Sequence, residues 1–315
     1  MENPEFKTNK FSLKFSASTH NSYHRDFPTT REHMTVNTSI GTFRWEECLE
    51  CGLIYQNPCP TPASIVNLYS SDVYMNNPEK RTNRTALGYS NYTQDEAIRV
   101  KLAKRKLSRL PGGLTASDAA CKSLLEIGPG TGAFLAEARK LFGTVAGIDA
   151  SSHFAHLAKT LHGVEVKHGL FEDYDFDGQR FDVICLWGAL SNLYDPLRFL
   201  AKVRTLLNPN GILWFNYVSI YCLLAKLQGA TFWMYSVSVC YQFTPASLRR
   251  LLSEQGFEIV AHHTDVQTVS LTKLFSQTRI PILWRIANIP AAAGVGVTIP
   301  IPGVYEVVAR LKDIA

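Results

Sequence analysis

The stretch Leu124-Leu-Glu-Ile-Gly-Pro-Gly-Thr-Gly-Ala-Phe-Leu135 decides the fold of this chain. It begins as a short apolar run, which is typical of a parallel strand buried on both faces. Gly128, Gly130 and Gly132 then interrupt the run, and glycines are needed where the backbone takes a positive φ or passes close to a ligand. A helical pattern starts at Ala133. A strand, a glycine-rich turn and a helix in this order predict a nucleotide site at the carboxyl edge of a doubly wound sheet.

Two acidic residues lie at the ends of consecutive predicted strands. Glu126 is inside the first apolar run, where a buried charge is costly unless it meets a cation or hydrogen-bond donors. Asp149 ends a second apolar run, and an acid at that place can accept hydrogen bonds from both ribose hydroxyls of a nucleotide. The glycine spacing also satisfies the relaxed dinucleotide fingerprint, so the glycines alone do not identify the nucleotide.

Together with later motifs, these residues make the chain resemble the class I S-adenosylmethionine (SAM)-dependent methyltransferases. The resemblance extends over residues 85–265 and is carried by the segments Glu126-Ile-Gly-Pro-Gly-Thr-Gly132, Gly147-Ile-Asp149, Phe181-Asp-Val-Ile-Cys-Leu186, Asp195-Pro196 and Leu207-Asn-Pro-Asn-Gly211. It implies SAM as the cofactor. In that family the glycine loop lies against the methionine end of SAM, and the acid at the position of Asp149 holds the ribose.

The resemblance also implies further cofactor contacts. Tyr89 and Tyr92 precede a long predicted helix, where related enzymes fold a tyrosine-containing stretch over the methionine. Trp187 follows the fourth strand and by position faces the methyl group. The implied cofactor-binding residues are Tyr89, Tyr92, Glu126, Gly128, Gly130, Gly132, Asp149, Ala150, Leu170, Phe171 and Trp187. No catalytic residue is assigned, because Ser191-Asn192 stand where many relatives have Glu-His, and catalysis by positioning alone is an open alternative.

Strands alternate with helices beyond the glycine turn, which predicts an α/β fold with a doubly wound, mostly parallel seven-stranded sheet and helices on both faces. The predicted parallel strands are residues 123–127, 144–149, 165–168, 181–187 and 211–218. The resemblance adds a final antiparallel strand over residues 304–310, beside residues 257–262. The expected architecture is therefore a Rossmann-like methyltransferase fold with a small N-terminal extension.

The expected division is an N-terminal extension over residues 1–80 and a methyltransferase domain over residues 81–315. Residues 1–42 are polar without a sustained period, so irregular structure is predicted there. Two long connections, residues 217–241 and 264–302, are too apolar for disorder and are predicted to be acceptor-side insertions. The first is dense in aromatic residues and is predicted to form a wall or lid of the acceptor pocket, with a homodimer interface as the alternative.

A metal site is a further hypothesis for the N-terminal extension. Cys48-Leu-Glu-Cys51, closed by Gly52, has the spacing of one knuckle of a zinc ribbon, which supplies two of the four ligands of a structural site. Many methyltransferases with a similar stretch carry a second Cys-x-x-Cys upstream, whereas this chain has His20 and His24. Structural zinc held by two cysteines and two histidines is chemically reasonable. The alternative is a degenerate knuckle without metal.

Composition limits the class of protein. The 315 residues are 46% hydrophobic and 19% charged, as in globular proteins, and the net charge of +5 forms no concentrated basic stripe, so no nucleic-acid partner is expected. Seven cysteines without a signal peptide argue against a disulfide framework and favour a cytoplasmic protein. Residues 286–305 carry no charge, but their prolines and glycines suit a buried or substrate-facing loop better than a membrane span, with shallow membrane contact as the alternative.

The predicted function is SAM-dependent methyl transfer to a small molecule, at a hydroxyl of a sugar, polyketide or other biosynthetic intermediate. C- or N-methylation of a similar acceptor is an alternative. An NAD(P)-dependent oxidoreductase would use the same glycine turn, although Glu126 and the Leu-Asn-Pro-Asn-Gly turn speak against it. A non-catalytic SAM-binding partner protein is a third alternative, which the retained acids and glycines disfavour.

Overall fold

A central sheet carries most of the secondary structure in this computed structural model, which describes residues 5–7, 12–16, 30–38, 41–77, 88–89, 91–270 and 296–312. The strands are β1 (Glu5–Lys7), β2 (Ser12–Ser16), β3 (Thr30–Thr38), β4 (Gly41–Cys48), β5 (Ile54–Gln56), β6 (Cys59–Pro60), β7 (Ser123–Ile127), β8 (Thr144–Asp149), β9 (Lys167–His168), β10 (Phe181–Leu186), β11 (Leu207–Val218), β12 (Tyr241–Gln242), β13 (Phe257–Ser270) and β14 (Gly296–Leu311). The α-helices are α1 (Pro62–Tyr69), α2 (Asp72–Met75), α3 (Glu96–Leu107), α4 (Ala116–Ala119), α5 (Ala133–Ala138), α6 (Ser152–His162), α7 (Pro196–Leu206), α8 (Leu223–Gln228) and α9 (Pro245–Glu254).

The central sheet has seven strands in the order β13-β14-β11-β10-β7-β8-β9. Strands β7 to β11 pair in parallel, while β14 is antiparallel to both β11 and β13. The chain therefore has the predicted α/β, Rossmann-like methyltransferase fold. Because the parallel strands all run the same way, the residues that follow β7, β8, β10 and β11 meet at one carboxyl edge of the sheet.

Local sequence signals explain where the helices begin. The Asp195 side chain accepts hydrogen bonds from two backbone N–H groups at the start of α7, and Pro196 takes the first helical position. Ser151 caps α6 in the same way, and Gly163 ends it in the left-handed conformation. These helices and their neighbours cover both faces of the sheet: Phe199 of α7 is completely buried on one face, and Phe134 of α5 is buried on the other.

A second sheet joins two parts of the chain that are far apart in sequence. Its order is β12-β5-β4-β3, so β12 at Tyr241 pairs with β5 at Tyr55. Behind it lies a shared apolar cluster, which we call the composite core; it comprises Val36, Phe43, Trp45, Ile54, Leu68, Ile220, Cys222, Ala225, Phe232, Met234, Tyr235, Val237 and Val239. The aromatic segment after β11 is thus packed largely against the N-terminal strands. The division at residue 80 stays a prediction, but the two predicted parts share this sheet and this core.

The structure corrects three predictions about elements. Residues 1–42 contain strands β1, β2 and β3 where irregular structure was predicted, because the polar strand β3 gains burial from the composite core and not from its own composition. The predicted insertion at 264–302 is partly strand: β13 extends to Ser270 and β14 begins at Gly296, and residues 271–295 lie outside the described part. The strand predicted at 165–168 is limited to β9.

The described residues also bear on the membrane prediction. Across the described ranges we find no helix with the length and apolarity needed to cross a bilayer. Residues 296–305 of the uncharged segment are part of strand β14, and residues 286–295 lie outside the described part.

Candidate functional site

The glycine turn after β7 has the backbone geometry that its sequence predicts. Gly128, Gly130 and Gly132 all have positive φ, at 67°, 56° and 79°. A Cβ atom on Gly132 would lie 2.7 Å from Cγ2 of Val164 and 2.8 Å from Cβ of Ala158. Only glycine therefore lets α5 begin this close to α6, while the turn itself bends back over the carboxyl edge.

Asp149 is attached to this turn by its side chain. Oδ2 accepts a hydrogen bond from the N–H of Gly130 at 3.2 Å, and Oδ1 accepts one from the N–H of Ser151 at 2.9 Å. Burial raises the pKa of the Asp149 carboxyl to about 6, although these two hydrogen bonds and the nearby His168 act to lower it. A carboxylate has about four acceptor positions, so each Asp149 oxygen keeps capacity for a further donor.

Glu126 is the second buried acid of the site. It is 2% exposed, and among the described residues its Oε2 atom has no hydrogen-bond partner. Burial, followed by the proximity of Asp149, raises the pKa of Glu126 to about 8. Glu126 pairs in register with Gly147 of β8 and Cys185 of β10, so it lies at the centre of the parallel strands. A buried acceptor without a donor is costly unless a ligand or water supplies one.

Tyrosine side chains cover the glycine turn from the N-terminal side. A Cβ atom on Gly130 would lie 2.9 Å from the hydroxyl oxygen of Tyr92, so this hydroxyl is next to the turn. The Arg99 guanidinium is 4.5 Å from the centre of the Tyr92 ring and also donates a hydrogen bond to the Tyr92 carbonyl oxygen. Tyr89 is 40% exposed, and its ring centre is 4.8 Å from that of Tyr92. Of the two predicted lid tyrosines, Tyr92 lies next to the turn and Tyr89 packs on Tyr92.

The aromatic cover extends beyond the two tyrosines that the sequence predicts. The ring of Tyr74 lies 5.5 Å from that of Tyr89 and 4.8 Å from that of Tyr69. The Tyr69 hydroxyl accepts a hydrogen bond from Nδ2 of Asn192, in the segment that follows β10. Burial and the neighbouring Tyr89 raise the pKa of the Tyr74 hydroxyl. The signal that could have found these residues is the run of aromatic residues at the end of α1 and in α2.

Trp187 lies on the other side of the turn. Its ring packs 5.1 Å from Phe134 of α5 and 4.8 Å from Trp214 of β11, measured between ring centres. Within the described ranges its buried Nε1 atom has no hydrogen-bond acceptor. Two residues further on, Ala189 approaches the turn, because a Cβ atom on Gly128 would lie 3.6 Å from Cβ of Ala189.

The three remaining predicted cofactor residues divide into two groups. Ala150 and Leu170 are half-buried, directly after β8 and after β9. Phe171 is instead 5% exposed and packs against Phe176 and Phe199 in the core on the α7 face. This packing gives Phe171 a core role that explains its apolar character without a ligand.

The cysteine knuckle forms a tight turn between β4 and β5. The N–H of Gly52 donates to the carbonyl of Cys48 at 2.8 Å, and the N–H of Cys48 donates to the carbonyl of Leu53 at 2.9 Å. All seven cysteines lie in the described part of the chain, and none forms a disulfide. Among the described residues no group of three or more His, Cys, Asp or Glu side chains could hold a metal ion. The predicted ligands His20 and His24 lie outside the described residues.

Comparisons with known proteins agree with this fold. A family model described as a methyltransferase domain matches residues 95–262. A curated ubiquinone biosynthesis O-methyltransferase from Cereibacter sphaeroides is 31% identical over 96 residues, which are 29% of this chain, and the chain spans only 38% of that protein's length.

Two solved structures are similar in overall fold. A SAM-dependent methyltransferase from Thermotoga maritima is 19% identical, with a TM-score of 0.47 and coverage of 70% of this chain and 93% of that one. The methyltransferase in a complex with the Trm112 activator from Haloferax volcanii is 18% identical, with a TM-score of 0.47 and coverage of 70% and 92%. Similarity at this level carries no information about the acceptor.

The family match covers more than half of the chain and spans every strand of the parallel sheet together with the glycine turn. The oxidoreductase alternative loses its support. The chain belongs to the methyltransferase-domain family, as a member of the SAM-dependent methyltransferases with a Rossmann-like fold.

Proposed function

We propose that the protein transfers a methyl group from SAM to a hydroxyl oxygen of a small-molecule acceptor. The observation that carries the donor half is the pair of buried acids, Glu126 and Asp149, which flank the glycine turn with acceptor capacity left over. A ligand with one ammonium group and a pair of ribose hydroxyls supplies the donors that these two carboxyls lack. SAM has both features, so the residues present fit the cofactor.

The chain's own residues supply binding, orientation and exclusion of water. Bound SAM supplies an electrophilic methyl group, and in-line displacement demands alignment of donor and acceptor more than it demands acid–base chemistry. Asp149 and the backbone amides of the turn would hold the donor at the carboxyl edge of the sheet, while Tyr92 and Tyr89 would cover it from the N-terminal side. Trp187 and Ala189 border the turn from β10, where the acceptor would approach.

The two segments that border the glycine turn offer no histidine as a base. The segments that directly follow β7 and β10, residues 128–132 and 187–195, contain no histidine. His168 of β9 is instead near Asp149, and Nε2 of His262 on β13 lies 3.1 Å from the hydroxyl oxygen of Tyr217, near the end of β11. Positioning therefore carries the proposed reaction, which suits an acceptor hydroxyl that is already acidic, such as a phenol. The name of the Cereibacter sphaeroides relative, an O-methyltransferase, is consistent with oxygen as the acceptor atom.

Calorimetric titration tests the donor half. Wild-type protein should bind SAM and S-adenosylhomocysteine but not NAD. Asp149→Ala should weaken binding of S-adenosylhomocysteine by about 1–3 kcal/mol, the usual cost of losing hydrogen bonds to a charged acceptor. A donor affinity that is unchanged in this variant would place the ribose elsewhere.

A glycine pair gives a matched control for backbone strain. Gly130 and Gly163 have similar positive φ, 56° and 63°, but a Cβ on Gly130 meets Tyr92, whereas a Cβ on Gly163 meets no atom within 4 Å. Gly130→Ala and Gly163→Ala should therefore both lower stability, and only Gly130→Ala should abolish donor binding. Equal loss of binding in both variants would mean that strain alone is responsible.

We also infer that Cys48 and Cys51 contribute to a structural zinc site, completed by ligands outside the described residues, with His20 and His24 as the first candidates. The tight turn between β4 and β5 brings both cysteines to the same end of the second sheet. Metal analysis after chelator-free purification should find one equivalent of zinc, and Cys48→Ser should release it. A metal-free protein would identify the turn as a degenerate knuckle.

A further inference from the structure

Lys106 of α3 is buried under the outer strands of the central sheet. It is 6% exposed, and its Nζ donates hydrogen bonds to Oδ1 of Asp265 at 2.9 Å and to Oε2 of Glu306 at 2.7 Å. Asp265 lies on β13 and Glu306 on β14. A buried ammonium is costly without partners, and these two carboxylates satisfy it. The pairing ties α3 to the antiparallel end of the sheet.

A first chain of contacts leads from this ion cluster to the segment after β10. The second oxygen of Asp265, Oδ2, accepts a hydrogen bond from Nδ2 of Asn216 at 3.0 Å. The Oδ1 atom of Asn216 in turn accepts a hydrogen bond from the backbone N–H of Gly188 at 2.7 Å. Gly188 has φ at 67°, so its amide direction depends on an unusual backbone conformation that this hydrogen bond fixes.

A second chain of contacts reaches the neighbouring residue. The Lys106 ammonium lies 4.3 Å from the centre of the Trp187 ring. Glu306 accepts a hydrogen bond through Oε1 from Nε1 of Trp214 at 2.9 Å, and Trp214 packs edge-on against Trp187. Both chains therefore start at one lysine and end on two consecutive residues.

The end of both chains borders the glycine turn. Trp187 packs on Phe134 of α5, and Ala189 faces Gly128. A shift of the segment 187–189 would change its distance from the glycine turn, and so the space at the carboxyl ends of β7 and β10. We propose that Lys106, Asp265 and Asn216 act as positioning residues, which hold the segment 187–189 at the spacing from the glycine turn that donor binding requires. This inference rests on the proposed function.

The contacts that join Lys106, Asp265, Asn216 and Gly188, which we call the relay, are polar, and this composition supports a positioning role. A buried ion cluster contributes little net stability compared with well-packed apolar side chains, whereas a fully hydrogen-bonded one specifies one geometry. Burial by itself would raise the pKa of Asp265, but Lys106 and the amide donors outweigh it and lower that pKa, so the carboxylate stays charged. Each polar member thus directs the next along the chain of contacts.

The test compares Asn216→Val with Asn216→Thr, because valine and threonine have the same shape and differ in one hydroxyl, which can donate one hydrogen bond and accept another. Titration with S-adenosylhomocysteine should show affinity about tenfold weaker in Asn216→Val, which corresponds to the loss of about one to two hydrogen bonds. Asn216→Thr should recover part of the affinity. Deuterium exchange of the peptide that contains residues 187–192 should accelerate in Asn216→Val and return towards the wild-type rate in Asn216→Thr.

Gln267→Leu is the matched control. Gln267 donates a hydrogen bond to the same Oδ2 atom of Asp265, but no described contact joins it to Trp187 or Gly188. It should therefore affect thermal stability and leave both donor affinity and exchange at 187–192 unchanged. Equal affinities for S-adenosylhomocysteine in Asn216→Val and wild type, or equal losses in Asn216→Val and Gln267→Leu, would overturn the proposal.

Failure of the relay and failure of the proposed function can be told apart. If Asn216→Val does not fold, hydrogen exchange in the wild-type protein tests the same step. The amide of Gly188 should then exchange more slowly than an amide without a hydrogen bond. An unprotected amide would overturn the proposal. If wild-type protein binds neither SAM nor S-adenosylhomocysteine, the proposed function fails, while the exchange measurements still report on the relay.

Discussion

The carboxyl edge around the glycine turn and the composite core solve different physical problems. At the edge, two acids are buried at raised pKa, Glu126 lacks a donor for Oε2, and three glycines have positive φ. In the composite core, the rings of Trp45 and Phe232 both pack on Tyr235, within a cluster that also contains aliphatic side chains. The edge keeps buried acids that a ligand can satisfy, whereas the composite core buries mainly apolar area that stabilises the chain, although Nε1 of Trp45 there is also buried without a described partner. Binding and stability should therefore respond to different substitutions.

The largest effect should come from the composite core. Phe232 is 1% exposed, and Phe232→Ala should lower the free energy of unfolding by about 3–5 kcal/mol, the range for truncating a buried aromatic side chain. Denaturant unfolding measures this loss. Below the unfolding transition the variant should bind S-adenosylhomocysteine as the wild type does. A loss of stability below about 1 kcal/mol would show that residues 217–241 do not depend on this core.

The second effect is a dependence of stability on pH, which should distinguish the carboxyl edge from the composite core. The pKa of Glu126 is raised from 4.5 to about 8 and that of Asp149 from 3.8 to about 6. The folded protein therefore binds more protons than the unfolded chain between these limits. The stability contributed by these carboxyls is fully present below their ordinary pKa values and is lost as the pH rises through the folded values.

Glu126→Gln sharpens this prediction. The neutral amide does not titrate, so it should remove most of the fall in stability between pH 5 and pH 8. Each unit by which folding raises a pKa corresponds to about 1.4 kcal/mol of this fall. It should also weaken donor binding, because an amide, unlike the carboxyl, cannot ionise to pair with an ammonium group. Denaturant unfolding at several pH values measures the slope. Glu165→Gln, at a carboxyl whose side chain is 79% exposed, is the control, and an equal change of slope in both variants would contradict the prediction.

The smallest effect should come from the exposed side of the aromatic segment. Trp233 is 41% exposed and packs on Phe232 at 4.1 Å between ring centres. Trp233→Ala should change stability by about 0.5 kcal/mol or less, as at most surface positions, and should leave donor affinity unchanged. If it is a wall of the acceptor pocket, methyl transfer to the true acceptor should fall at constant mass. A lower mass by light scattering would instead identify a contact between two copies of the chain.

The site at the edge could be predicted because its determinants are close together in sequence. Gly128 to Gly132 and Asp149 belong to consecutive strand–turn–helix units, and each residue type follows from a local requirement for positive φ or for an acceptor. Phe171 stays a cofactor residue predicted by family position, and its ring packs with Phe176 and Phe199. An apolar residue after a strand does not by itself reveal which way its side chain points.

The composite core could not be predicted because its two halves are separated by most of the methyltransferase domain. Strand β3 has too few apolar residues to show a periodic pattern, and its contacts with the later segment include Met34 and Val36 in the composite core and a hydrogen bond between His33 and Tyr235. Long-range pairing such as that of Tyr55 with Tyr241 leaves no local signature. The relay from Lys106 also could not be predicted. Its members are far apart in sequence, and a lysine in a basic helix is usually a solvated side chain.

The pairing of Tyr55 with Tyr241 also has a consequence for folding during synthesis on the ribosome. At a synthesis rate of about 5–20 residues per second, β12 leaves the ribosome roughly 10–40 s after β5. During this interval the hairpin of β4 and β5 has one strand edge unpaired, and an unpaired edge invites pairing with other chains. Slower translation would lengthen this exposure, so the yield of native protein should depend on the speed of the ribosome and on chaperones that shield nascent strands.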